Sequence, residues 1–120
     1  MATVAPVITP LLPNDGSCIR YQWTLTGTDD GAPVSMVQWA DRTVQFEGAF
    51  GGGTVVFEGS NNDGTNYQVL TDAQAVAISK TAPGLEQVVE ITQLARPRAS
   101  VGVTSVVISM VLRRQQALRI

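Results

Sequence analysis

The chain is 120 residues long, 44% hydrophobic and only 15% charged, with a formal net charge of −2. That composition describes one ordered domain with a core and excludes disordered and nucleic-acid-binding classes. There is one cysteine, Cys18, and no histidine, so disulfide scaffolds, the usual zinc sites and imidazole-based catalysis drop out.

Lys80 is the only lysine beside seven arginines. A Schiff-base or Ser-Lys mechanism would rest on that one residue next to a Pro-Gly turn. Residues 1–95 carry three bases (Arg20, Arg42, Lys80) against all ten acids, a formal −7, whereas residues 96–120 carry five arginines and no acid, a formal +5. This asymmetry marks either a docking surface for an acidic partner or strand ends and tails that carry solvating arginines. No apolar run is long enough to span a membrane, and the N-terminus lacks a positive region followed by a hydrophobic stretch. The expectation is a soluble protein made in the cytoplasm, without cofactor, membrane or nucleic-acid partner.

Residues 1–17, MATVAPVITPLLPNDGS, combine β-branched residues with Pro6, Pro10 and Pro13, a spacing that prevents a helix and removes ladder donors from a central strand. An extended arm or edge is predicted. Its apolar residues Val4, Val7, Ile8, Leu11 and Leu12 need cover, from a neighbouring subunit or from the chain's own body. Ile19 to Thr26 alternates, with Ile19, Tyr21, Trp23 and Leu25 on one face, and reads as a half-buried antiparallel strand. The cluster Gly27–Pro33 ends it, a short strand is expected over residues 34–39, and Asp41-Arg42 reads as the next boundary.

Val44, Phe46, Gly48 and Phe50 share a face, and Val55 and Phe57 repeat the pattern after Gly51-Gly52-Gly53, which predicts a hairpin. A phosphate-cradling loop would need a following helix, or a lysine and hydroxyl in register, and here a strand follows. Ser60–Gly64 predicts a second turn before a short strand at Tyr67–Leu70. An EF-hand calcium loop is excluded by the missing bidentate glutamate, although Asn61, Asp63 and Asp72 form a looser candidate. Residues 73–78 read as a turn followed by a short strand or a single helical turn, and the β-branched residues 88–92 read as strand. Pro97, flanked by Arg96 and Arg98, predicts an edge or bulge. Val101 to Leu112 is the longest β-rich run, with Val106, Ile108, Met110 and Leu112 facing one way and Val103, Val107 and Val111 the other.

Short strands, no convincing helix and turn signals about every ten residues predict an all-β fold, a two-layered antiparallel sandwich of jelly-roll or Ig-like kind. The expected organisation is an extended N-terminal arm (1–17), the sandwich (18–112) and a basic C-terminal tail (113–120), with Phe46, Phe57, Tyr67 and Trp23 in the core. Glu47 and Glu58 read as solvent-facing strand residues rather than a catalytic carboxylate pair, so no enzyme is expected.

The run FEGAFGGGTVVFEGSNNDGTNYQVLT, continuing through an "RP" edge to a valine-rich final strand, resembles small structural proteins of tailed bacteriophages, of the capsid decoration (cement) type. The likeness covers roughly residues 44–112, carries no catalytic signature, and leaves outside it the proline-bearing arm and the Asn61-Asn62 insertion. It implies a virion protein on the capsid surface that binds the major capsid protein as a dimer or trimer and stabilises the assembled head. The contacts would come from Val4, Val7, Ile8, Leu11 and Leu12 in the first arm and from Arg96, Arg98, Arg113, Arg114 and Arg119. The alternative is a tail- or fibre-associated carbohydrate-binding module that uses Trp39 and Tyr67 as platforms beside Asn61, Asn62 and Asp63.

Overall fold

The computed structural model describes residues 2–12 and 16–114. Its twelve strands are β1 (Thr3–Val4), β2 (Val7–Pro10), β3 (Cys18–Leu25), β4 (Asp30–Gly31), β5 (Val34–Ser35), β6 (Trp39–Ala49), β7 (Val55–Ser60), β8 (Gln68–Val69), β9 (Ser79–Lys80), β10 (Gly84–Gln87), β11 (Leu94–Ala99) and β12 (Ser105–Arg114). No helix occurs among the described residues. One sheet has the order β10-β6-β12-β3-β2; the other runs β1-β4-β11-β7-β8, with β5 also on β11 and β9 also on β7. All pairings are antiparallel except the two-residue pairing of β1 with β4. The fold is a layered all-β sandwich.

Alternation decides which side chains enter it. Trp23 and Leu25 of β3, Val44 and Phe46 of β6, and Val106, Ile108, Met110 and Leu112 of β12 are all fully buried and share one core cluster with Phe57 of the opposite sheet. Trp23 and Phe57 pack edge-on with ring centroids 6.4 Å apart, and the Trp23 indole N–H donates to the Ala32 carbonyl at 3.2 Å.

The glycine triplet is not a hairpin. β6 and β7 lie in different sheets, so Gly51-Gly52-Gly53 is a corner at which the chain changes layer. The second layer change, between β11 and β12, lies directly against it: a Cβ on Gly51 would sit 2.4 Å from the Gly102 carbonyl oxygen. Because β6 pairs with β12 and β7 with β11, the two segments form one antiparallel ribbon folded over at two touching corners, in the manner of a jelly roll. The Ser60–Gly64 turn does close a hairpin, pairing Glu58 with Val69 and Gly59 with Gln68.

Several expectations are corrected. Residues 88–92 form no strand; they carry the chain from β10 in one sheet to β11 in the other, and tertiary demand overrides β-propensity there. Asp41-Arg42 is no boundary, since β6 runs through it and Arg42 is buried. Arg96-Pro97-Arg98 lies inside a sheet instead of at its edge: β7 pairs along all of β11 on one side, while on the other β5 reaches Leu94 and Ala95 and β4 reaches Arg98. The interrupted ladder leaves Pro97 no bond to lose on that side, and its ring packs on Gly31, where a Cβ would lie 2.6 Å from Pro97 Cδ. Glu58 is buried instead of facing solvent, and Tyr67 lies outside the core cluster. β12 continues through Arg114, beyond the expected start of a tail.

Candidate functional site

The hairpin between β7 and β8 builds a polar rim from its own side chains. Ser60 Oγ donates to Asn62 Oδ1 at 2.8 Å and accepts from the Asn62 and Gly64 N–H groups at 3.2 and 3.0 Å, while Asn62 Oδ1 accepts from the Asn66 N–H at 3.0 Å. Gln93, just before β11, clamps the loop: its N–H donates to Asn61 Oδ1 at 2.8 Å, its amide donates to Asp63 Oδ1 at 2.6 Å, and its Oε1 accepts from the Asp63 N–H at 2.9 Å. Each side chain thus satisfies backbone or amide groups that the turn would otherwise leave open.

Beside this rim is a groove of about 540 Å³ between the hairpin and the 88–92 crossing, lined on one side by Ser60, Asn62, Asn66 and Gln68 and on the other by Glu90 and Thr92. Val69 and Leu70 contribute its apolar surface. Asn66 and Gln68 are exposed, line the groove, and make no side-chain hydrogen bond within the described residues. The opposite wall is fixed by Glu90, which accepts from the Thr71 N–H at 2.8 Å and the Thr71 hydroxyl at 2.6 Å. Desolvation alone would raise the Glu90 pKa, but the Thr71 hydrogen bonds and the Arg42 charge outweigh it and hold the carboxyl below its ordinary range. Asp29, which accepts from Thr26 and from the Ala2 N–H, is likewise lowered, chiefly by the Thr26 backbone bond.

A carboxylate lowered on folding adds stability that is present above its unfolded pKa and lost as pH falls through its folded one. Thermal midpoints should therefore hold through the neutral range and fall below the ordinary carboxylate range. Glu90→Gln should flatten that fall, and an acid limb identical to wild type would show that Glu90 does not contribute to it.

On the outer side of the same sheet, Glu58 accepts from Arg96 Nε at 2.9 Å and Arg98 Nε at 3.2 Å, and Arg96 also reaches Asp30 at 3.2 Å. The Arg96 guanidinium covers the Tyr67 ring, 3.8 Å from its centroid. Arg96 and Arg98 are thus engaged inside the fold, with Arg96 the more enclosed at 21% side-chain exposure against 51%. Trp39 is buried, which removes it as a platform, and the Tyr67 face is already taken by Arg96. Asp72 Oδ1 caps the Gln74 and Val76 N–H groups at 2.9 and 3.1 Å, so it does not converge with Asn61 and Asp63. No group of three metal-ligating side chains occurs among the described residues.

The remaining predicted contacts divide by location. Val4 packs against the core from β1, whose neighbour Thr3 donates to Asp30 Oδ1 at 2.8 Å. Val7 and Ile8, 64% and 61% exposed, lie on the edge strand β2, and Leu11 and Leu12 follow it, also exposed. Arg113 is paired with Asp41 at 2.6 Å, and the Arg114 guanidinium lies 5.5 Å over the Trp39 ring. Leu11 and Arg113 flank Cys18 at one end of the five-stranded sheet, since the Leu11 N–H donates to the Cys18 carbonyl at 3.0 Å and Cys18 is the register partner of Arg113. Arg96 and Arg98 are in the other sheet. Arg119 lies outside the described residues. The groove and the Arg42 site described below escaped sequence inspection because they join segments far apart in the chain.

No protein-family model matches this chain, and no curated protein sequence does. Solved structures do resemble it. The SPBc2 prophage-derived protein YomS is similar at TM-score 0.61 and 12% identity, over 79% of this chain and 93% of that one. A cupin domain from Bordetella pertussis is similar at TM-score 0.52 and 10% identity, over 96% and 99%. An oxalate oxidase in complex with glycolate is similar at TM-score 0.51 and 13% identity, over 92% of this chain and 52% of the oxidase. These likenesses show a shared fold: the chain is a β-sandwich module of the shape found in a prophage protein and in cupin domains.

Proposed function

We propose that this chain is a non-enzymatic structural protein of a bacteriophage particle, a head decoration protein that binds the major capsid protein on the assembled shell and stabilises it. The observation that carries this reading is the edge strand β2 with the residues that follow it: Val7, Ile8, Leu11 and Leu12 are exposed, and Leu11 reaches the end of the five-stranded sheet that holds Arg113 and Arg114. An uncovered edge strand with apolar side chains is a template for another chain, and adjacent arginines favour an acidic partner. The likeness to a prophage protein supports a phage setting.

Removing residues 1–13 would strip pairing from both sheets, so point substitutions give the cleaner test. Ile8→Glu with Leu12→Glu alters exposed side chains and should leave thermal stability within about 0.5 kcal/mol of wild type. Added to particles assembled without this protein, the variant should bind at least tenfold more weakly than wild type. Decoration at wild-type level would sink the proposal.

A second reading is favoured by the amide-lined groove: a carbohydrate-binding module of a tail or fibre, with Asn66 and Gln68 as the sugar contacts. Fold likeness alone supports a β-sandwich module, which sits closer to this reading than to one location on a capsid. Glycan-array binding abolished by Gln68→Ala, together with undiminished binding by the Ile8/Leu12 variant, would select it.

A further inference from the structure

Among the described residues, the outward face of the five-stranded sheet leaves Thr24, Thr43, Gln45, Glu47 and Leu85 exposed, and its composition is unusual. Across the strands, one row reads Glu47–Val107–Thr24, the next Leu85–Gln45–Ser109–Gln22–Val7, and the next Gln87–Thr43–Val111–Arg20–Thr9. These side chains are small, aliphatic or amide, and only Glu47 and Arg20 are charged. Neither has an ion-pair partner among the described residues: Glu47 only accepts from the Gln45 amide at 2.6 Å, and Arg20 Nε is buried without a hydrogen-bond acceptor.

The positions of those two charges are related by symmetry. β6 and β3 flank β12, and Glu47 lies one row to one side of Ser109 while Arg20 lies one row to the other, on the opposite neighbour strand. Strand spacing and rise put their Cα atoms roughly 16 Å apart, too far to pair within one copy. A two-fold axis between two such faces, passing over Ser109 at right angles to the Glu47–Arg20 line, places Glu47 of each copy over Arg20 of the other.

We infer that this face is a homodimer interface in which two copies stack about that axis and exchange two Glu47–Arg20 ion pairs. The interface is isologous, so one surface satisfies both partners and the assembly closes at two copies. A shallow depression of about 320 Å³ lined by Gln22, Gln45, Glu47, Gly48, Val107 and Ser109 gives the second copy a recess to fill. Only Val7 is shared with the capsid reading: Glu47, Arg20 and Ser109, which carry the inference, belong neither to the Leu11–Arg114 end nor to the groove.

Sedimentation equilibrium on the full chain should show a monomer–dimer equilibrium. Glu47→Arg sets two arginines against each other at both contacts, and Arg20→Glu sets two acids; each should raise the dimer Kd at least tenfold. Mixed in equal amounts, the two variants should recover wild-type affinity as a heterodimer, because each repulsive contact becomes an attractive one. Circular dichroism confirms the fold of each variant; if Arg20→Glu does not fold, Ser109→Arg at the centre of the face takes its place and should leave a monomer. A wild-type protein that stays monomeric or forms trimers overturns the inference, as does a Glu47→Arg or Ser109→Arg variant that dimerises normally.

Discussion

Arg42→Ala should destabilise the fold by about 4 kcal/mol, a large share of the ~5–15 kcal/mol that holds a typical domain together. Arg42 is only 5% exposed, and its guanidinium donates to four carbonyls: Trp39 at 2.9 Å, Ala40 at 3.2 Å, Val88 at 3.3 Å and Val89 at 3.0 Å. The first two belong to β6 and the last two to the irregular 88–92 crossing, so one side chain supplies donors that a neighbouring strand would otherwise provide. Desolvation lowers the Arg42 pKa, opposed by the Asp41 and Glu90 carboxylates, and the group remains charged at neutral pH. Alanine would leave the Trp39 and Val88 carbonyls buried without a donor, at ~1–3 kcal/mol each, in addition to lost packing. Arg42→Lys should recover only part of the loss, because a compact ammonium on a flexible stem cannot span the planar fork. Urea unfolding should show a lower midpoint at unchanged slope, and amide exchange at Val88 and Val89 should accelerate. An unchanged midpoint would mean that water replaces the guanidinium at no cost. Since Glu90 and Thr92 line the groove, the same substitution should loosen one groove wall.

Local signals made most of the strands legible. The alternation in Ile19–Leu25 and in Val106–Leu112 set the buried faces correctly because a period of two depends only on neighbouring residues. Layer membership was not legible. Gly51-Gly52-Gly53 suits a hairpin and a sheet-changing corner equally well, and only the pairing of β6 with β12, more than fifty residues away, decides between them. For the same reason Val88–Thr92 carries strand propensity without a ladder: its carbonyl partner is Arg42, and sequence inspection marked that residue as a boundary. The groove lining was partly visible, since Asn61 and Asn62 stood out as turn formers. Glu90 and Thr92 did not, because nothing in their own segment indicates what they face.

The second large effect is expected at Gly48, where conformation and space both demand glycine. Its φ of +129° is a backbone region that L side chains rarely adopt, and a Cβ there would lie 2.3 Å from the Ser105 carbonyl oxygen and 3.1 Å from Val106 Cα. Both atoms are backbone in β12, the register partner strand, so no rotamer change relieves the contact. Strain of ~1–3 kcal/mol and overpacking of similar size predict a loss of about 4 kcal/mol for Gly48→Ala. Gly52 separates the two causes, because its φ of +87° is also unusual but nothing lies within 4 Å of its absent Cβ. Gly52→Ala should therefore cost only ~1–2 kcal/mol, the conformational part alone. Equal losses at the two positions would show that the β6–β12 contact yields freely. A larger loss at Gly48 would show instead that β6 and β12 are held there in a close backbone approach that only glycine allows.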